Sequence, residues 1–159
     1  MVIKLIAVGR LKDKFLTDAF AEYEKRLSAF CKLTVDEVTQ VKLPDDPSEK
    51  EIAAALETEA DAILAKIPNG SRVIPLCIEG KQLSSEKFAE YIARESAEGA
   101  GTFVFIIGSS CGLSERVKQR GNLKLSMSEM TFPHRLARIM LAEQIYRAFT
   151  IIHNRKYHK

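Results

Sequence analysis

Thr102-Phe103-Val104-Phe105-Ile106-Ile107-Gly108 is the clearest strand in the sequence. Its β-branched and aromatic residues run without a charge, as in a buried strand, and the glycine ends it. Working back along the chain, Ser84/Ser85 offer an N-cap for a helix to about Glu98, and Val73 to Ile78 forms a second, nearly all-apolar strand. Before these, Ser48-x-x-Glu51 starts a capped helix to about Ile67, ended by Pro68-Asn69-Gly70. Leu33 to Val41 alternates with the period of a half-buried strand, Asp13 to Phe30 repeats its apolar residues at helical spacing, and Val2 to Gly9 opens the chain as a strand. Working forward, a short helix is predicted near Ser114 to Arg120 and a short strand at Leu123 to Met127. Pro133 then opens a long helix to about His153. Strand and helix alternate, which gives an α/β fold: a mostly parallel sheet of about five strands with helices on both faces.

The totals agree with one domain over 1–159. At 159 residues and 17.8 kDa the chain can bury roughly 70% of its unfolded surface. Cys31, Cys77 and Cys111 are odd in number and lack C-x-x-C spacing, so they read as reduced thiols of a cytoplasmic protein, with no metal site. No apolar run is long enough to span a membrane, and the opening residues do not have the pattern of a signal peptide. The helix at Ser48 to Lys66 carries five acids against two lysines and reads as a solvated face.

Charge is concentrated at one end. From Pro133 onward there are six Lys/Arg against the single acid Glu143, so this stretch is at +5 and the preceding residues at −2. Such a basic end suggests a polyanion docked at one place. The long helix carries apolar residues over more than one stripe (Leu136, Ile139, Met140, Leu141, Ile145, Ala148, Phe149, Ile151, Ile152), from which a homodimer is expected.

In a parallel sheet, ligands bind beyond the carboxyl ends of the strands. That selects three loops: Glu79-Gly-Lys, Gly108-Ser-Ser-Cys-Gly112 and Ser128 to Phe132. Gly108-x-x-x-Gly112 suits close approach of backbone to a ligand, but it is neither a G-K-[ST] phosphate loop nor G-x-G-x-x-G. His134 sits where the helix dipole disfavours imidazolium; it is either a proton acceptor or a loop or capping histidine, and its position leaves both open. Glu143 and Arg147 are spaced for an ion pair. Tyr157-His158 beside Arg155, Lys156 and Lys159 combines flat rings with cations, as suits unpaired bases and their phosphates.

Phe103-Val-Phe-Ile-Ile-Gly108-x-x-x-Gly112-Leu, Ser126-Met-Ser-Glu-Met-Thr-Phe-Pro-His134, Glu143-Gln-Ile-Tyr-Arg-Ala-Phe149 and the terminal Tyr157-His-Lys together resemble the RlmH family of SPOUT-class methyltransferases. The resemblance covers essentially the whole chain. It implies a C-terminal trefoil knot, a homodimer, and transfer of the methyl group of S-adenosyl-L-methionine to N3 of a pseudouridine in helix 69 of 23S rRNA, within the assembled 70S ribosome. By the same resemblance Leu76, Gly108, Met127, Ser128, Glu129, Met130, Thr131 and Phe132 would hold the cofactor. His134, Arg147, Tyr157 and His158 would be catalytic, and Arg135, Arg138, Arg155 and Lys159 would contact RNA; neither DNA nor a membrane is an expected partner. Ser109, Asn154 and Lys156 depart from the family's usual glycine, glycine and proline. The competing expectation is a non-enzymatic RNA-binding protein of the ribosome, for which the basic end would suffice but which leaves the glycine loop without a role.

Overall fold

The computed structural model describes residues 1–157; His158, expected to be catalytic, and Lys159, expected to contact RNA, lie outside the described residues. The elements in chain order are β1 (Val2–Val8), α1 (Lys14–Leu27), β2 (Lys32–Val38), α2 (Glu49–Leu64), β3 (Arg72–Gln82), α3 (Ser85–Ala97), β4 (Thr102–Ile107), α4 (Glu115–Gln119), β5 (Leu125–Ser126) and α5 (His134–Ile152). They form a five-stranded sheet in the order β2-β1-β4-β3-β5, and every pairing is parallel.

The pleat of the central strands shows why the sheet is covered on both faces. Ile3, Leu5 and Ala7 of β1, with Phe103, Phe105 and Ile107 of β4, point into a core shared with Leu16, Phe88, Ile92, Ile145 and Phe149 of α1, α3 and α5. The alternate residues Ile6, Val8, Val104 and Ile106 point the other way, onto Ala60 and Ile63 of α2 and Val117 of α4. A period-two register with both sets apolar has to bury both faces.

Local signals behave as the residues predict at several element starts. Ser48 accepts from the Glu51 backbone N–H while Glu51 reaches back to the Ser48 N–H at 2.8 Å, a complete capping box for α2. Ser84 caps α3 in the same manner, without the reciprocal contact. Pro133, expected in the first turn of α5, is its N-cap instead; its ψ of 131° keeps it outside the helix. The thiols of Cys31, Cys77 and Cys111 are free, and burial pushes Cys31 up to about 11.

Three expectations are corrected. β2 stops at Val38 because its last partner is Val8, where β1 ends; beyond that point Val41 N–H donates to Glu59 at 3.0 Å. Glu59, placed by its sequence on a solvated helix face, is 4% exposed, and its carboxylate also accepts from Ser109 Oγ at 3.2 Å. β3 runs past Ile78 to Gln82 because β5 engages it twice: Leu76 and Lys81 both pair with Leu125, with a bulge between them. Gly80 makes that doubling possible, since a Cβ there would stand 2.7 Å from the Leu125 carbonyl carbon.

The second apolar stripe of α5 also has a local explanation. The helix lies between α1 and α3 on the sheet, which buries Ile139, Leu141, Ala142, Ile145, Ala148 and Phe149 within one chain and leaves Leu136 and Ile152 exposed. No helix among the described residues is long and apolar enough to cross a membrane.

Candidate functional site

The carboxyl ends of β3, β4 and β5 open into a cavity of about 660 Å³, within the range of small-molecule sites. Two of its walls come from loops that the sheet argument selects, Gly108 to Leu113 after β4 and the segment to Phe132 after β5. The third does not, because Glu79-Gly-Lys lies inside the extended β3, which lines the cavity with Leu76 to Glu79 and turns Lys81 away from it. Leu76, Gly108, Met127, Ser128, Met130, Thr131 and Phe132 all line it; Glu129 is exposed and lies outside the lining.

Gly108 is there because nothing larger fits. A Cβ on it would meet the Gly112 carbonyl oxygen at 2.2 Å, so the loop folds back on itself against bare backbone. The fold-back is held by a bridge between Ser109 and Gly112, with the Gly112 N–H donating to the Ser109 carbonyl at 2.9 Å. Ser109 is tied in turn to the buried Glu59, so α2 fixes the loop from behind. On the opposite wall Ser126 Oγ donates to the Ser128 carbonyl at 3.0 Å, and Ser128 Oγ accepts from the Met130 N–H at 3.0 Å. Each wall is thus shaped by its own short-range bonds before any ligand arrives.

His134, the first residue of α5, stands at the cavity's edge with Pro133 and Ala137. A Cβ on Gly9 would be 3.6 Å from its Nε2, which places the ring over the end of β1. Burial, followed by the charges of Arg135 and Arg138, pushes its pKa below the usual histidine value. The imidazole is therefore neutral near pH 7 and able to accept a proton.

The four arginines of interest meet different fates. Arg138, expected among the RNA contacts, is 3% exposed: it donates to Glu37 at 2.8 Å and to the Gly9 carbonyl at 2.9 Å, so it pins α5 to the ends of β1 and β2. Burial works against ionisation of Glu37, but Arg138 and the Leu11 N–H outweigh it and hold the carboxyl below its ordinary range. Arg135 is half-exposed and paired with Asp13 at 3.1 Å. Arg155 is exposed, with its guanidinium 4.7 Å from the centre of the Phe30 ring. Arg147 makes the expected i, i+4 pair with Glu143 at 2.6 Å.

Around that pair the end of the described chain folds back onto α5. Tyr157 donates to Glu143 at 3.4 Å, its ring lies 4.9 Å from the Arg147 guanidinium, and it meets Tyr146 edge-on at 4.8 Å. Tyr23 and Arg26 of α1 close the cluster from the other side. This group is not beside His134. Arg147 lies further along α5 by roughly 20 Å at 1.5 Å per residue, so among the described residues one chain does not bring His134 together with Arg147 and Tyr157.

Lys118 is a wall residue that sequence reasoning missed: α4 carries it to the cavity, where it bonds Glu79 and Glu115. A lysine on a short polar helix gives no signal of that position.

Comparisons with known proteins agree on one family. The family model described as "Predicted SPOUT methyltransferase" matches residues 1–158. A protein of Clostridium botulinum (strain Okra / Type B1) named "Ribosomal RNA large subunit methyltransferase H" is 50% identical over 159 residues, covering 100% of both chains. Among solved structures, a probable methyltransferase from Bordetella pertussis Tohama I aligns with a TM-score of 0.56 at 13% identity over 92% of this chain and 93% of its own. A probable methylase family protein from Haemophilus influenzae Rd KW20 aligns with a TM-score of 0.54 at 14% identity over 99% of this chain and 70% of its own. The two structures speak to the fold. The full-length family match favours an enzyme over the competing reading of a non-enzymatic RNA-binding protein and implies a methyl donor. With its all-parallel sheet, a backbone-lined cavity at the strand ends and a match from first residue to 158, the chain belongs to the SPOUT methyltransferase family.

Proposed function

We propose that this chain, as a single SPOUT domain over 1–159, transfers the methyl group of S-adenosyl-L-methionine to N3 of a pseudouridine in helix 69 of 23S rRNA, acting in the cytoplasm on the assembled 70S ribosome. The observation that carries the reading is the cavity at the ends of β3, β4 and β5 with His134 at its edge, in a chain 50% identical over its whole length to a protein named for large-subunit rRNA methylation.

The lining fits the donor. Leu76, Ile107, Leu113, Leu125 and Phe132 offer apolar walls to a flat base, and the fold-back at Gly108 leaves a backbone cradle that a side chain would fill. Leu76, Gly108 and the 127–132 segment would hold it, with Glu129 at the rim. S-adenosyl-L-methionine supplies an activated methyl group on a sulfonium. The chain's own task is alignment, because the acceptor nitrogen has to lie in line with the breaking bond. N3 of pseudouridine also loses a proton, and His134, kept neutral by burial and two neighbouring guanidiniums, accepts it. His158 belongs to the same expected set.

The separation along α5 supports a homodimer. Two copies packed across this helix bring the Arg147, Glu143 and Tyr157 cluster of one chain to the cavity of the other, with the exposed Leu136, Met130 and Ile152 as apolar contact surface. Arg135 and Arg155 would then hold rRNA phosphates, together with Lys159. Arg138 is spent on Glu37 and Gly9. The segment from β4 through α5, in which β5 pairs out of chain order with β3 and α5 returns between α1 and α3, is where the trefoil knot lies in this reading.

The test is transfer of labelled methyl from S-adenosyl-L-methionine to 70S ribosomes and, separately, to naked 23S rRNA, with the modified nucleotide mapped. Label in the helix 69 pseudouridine of ribosomes supports the proposal; label elsewhere, or none in either substrate, overturns it.

A further inference from the structure

A second cavity, of about 650 Å³, lies on the other side of the β3/β5 ladder. The bulge in β3 divides the two: Leu76, Cys77, Ile78 and Glu79 face the donor cavity, whereas Lys81 and Leu83 line the second, and Leu125 and Leu123 divide in the same way. Its remaining wall is the outer face of α3.

The polar groups here are donors in excess. Arg72, Lys81, Lys87 and Arg94 face Glu90 and Glu95, a surplus of two positive charges. Glu95, 9% exposed, accepts from Arg94 at 3.0 Å and from Arg72, and these two guanidiniums hold its carboxyl below the usual range. One carboxylate is therefore shared by two arginines. Lys81 and Lys87 are exposed and form no ion pair among the described residues. Asn122 turns its amide oxygen to the Val73 N–H at 2.8 Å, which leaves its NH₂ as a further donor. Tyr91 lies under Arg94 at 5.5 Å, and its hydroxyl is shielded from solvent with no partner among the described residues. Burial, then the charge of Glu95, pushes the Tyr91 pKa up, so it stays an O–H donor. A closed structural ion network would match its charges, and a buried hydroxyl ordinarily finds an acceptor. An oxyanion entering the cavity supplies the missing charge.

We propose that this second cavity binds phosphate groups of an RNA backbone outside the target loop. The extent of the wall argues for a chain of phosphates over a single one: Lys87, Tyr91 and Arg94 share one face of α3 and span roughly 10 Å of its axis. The proposal rests on the rRNA reading above and adds a docking surface to it, backed against the donor cavity through a strand of two residues.

The double substitution Lys81→Gln/Lys87→Gln tests it, because both side chains are exposed and their loss leaves the Glu95 network intact. Affinity for 70S ribosomes is measured across a salt series, with donor affinity as the control for an intact fold. Loss of two phosphate contacts lowers the slope of log K against log salt by about 1.5 to 2 and weakens binding at low salt more than tenfold. A slope equal to wild type with donor affinity preserved overturns the proposal. In a parallel arm, inorganic phosphate is titrated while the Tyr91 ring signals are followed. Saturation at micromolar phosphate with an unchanged RNA slope would assign the cavity to a free anion and equally overturn it. Failure of the wild-type protein to bind or methylate rRNA at all would show that the underlying functional reading has failed, which the slope comparison alone cannot produce.

Discussion

At the start of α5 the cavity is made of backbone: a glycine that tolerates no Cβ, a loop bridged to itself, and hydroxyls bonded to neighbouring amides. At its far end the cluster is made of long side chains, with Tyr157 and Arg147 on Glu143, Tyr157 edge-on to Tyr146, Tyr23 tilted against Tyr146, and Arg26 over the Tyr23 and Tyr146 rings. The first construction gives a fixed shape with little charge, suited to a ligand of constant form. The second gives charge and flat surfaces on side chains with rotational freedom, suited to a nucleotide presented by a larger partner. One helix carries both, and its length keeps them apart. In the proposed homodimer a second chain brings the two together.

Each end makes demands that substitution can separate. The largest effect is expected between the ends, at Arg138→Ala, which strands the Glu37 carboxylate and frees α5 from β1; a loss of about 3 kcal/mol in denaturant unfolding is expected, the low end for a broken buried pair because Glu37 is partly exposed. If Arg138 were a phosphate contact, stability would hold and the salt slope of RNA binding would fall instead. Gly108→Ala should cost about 2 kcal/mol through overpacking against Gly112 and weaken donor binding measured by calorimetry, with RNA affinity retained. Arg147→Ala is the mirror image: donor affinity unchanged, and methyl transfer slowed by about tenfold or more, the worth of a charged hydrogen bond of ~1.5 kcal/mol or above.

The smallest effect is a pH dependence. His134 has a folded pKa below its unfolded value, so between the two the unfolded chain binds the extra proton. Its contribution to stability is complete above the ordinary histidine value of 6.5 and is lost as pH falls through the lower folded value. Comparing the Tm of wild type and His134→Gln from about pH 8 down to about pH 5 should show the wild type losing more on the acid side; parallel curves would contradict the neutral, half-buried imidazole.

The parts legible in the sequence were those where chemistry is local. Thr102–Ile107 declared itself because a run apolar on both faces has one use in a sheet, and Ser48 with Glu51 because a capping box is contained in four residues. The loops after β4 and β5 at the strand-end cavity followed from strand ends and a glycine pair, whereas Glu79-Gly-Lys, expected as a third loop, lies inside β3. What escaped depends on contacts between distant residues. The extension of β3 needs Leu125 to pair twice, and Glu59 looks like any acid on an acidic helix until Ser109 and Val41 are brought to it. Arg138 read as a free cation because Glu37 stands on a different strand, and Lys118 reaches the cavity only through the placement of α4. The basic cavity gathers Arg72, Lys81, Lys87 and Arg94 from two elements, none of them unusual alone.

If the two ends of α5 cooperate between chains, two variants disabled at opposite ends restore activity when mixed. Leu76→Arg plants a guanidinium in the donor cavity; Arg147→Ala empties the far cluster. By itself the first is expected to be inactive and the second to keep about a tenth of wild-type activity or less. Co-refolded in equal amounts, half of the dimers contain one chain of each kind, and in these one cavity is intact and faces an intact partner cluster. Methyl transfer to ribosomes should return to about a quarter of the wild-type rate. If the site were complete within one chain, every chain in the mixture would still carry a defect, and activity no greater than that of the separate variants would contradict the account.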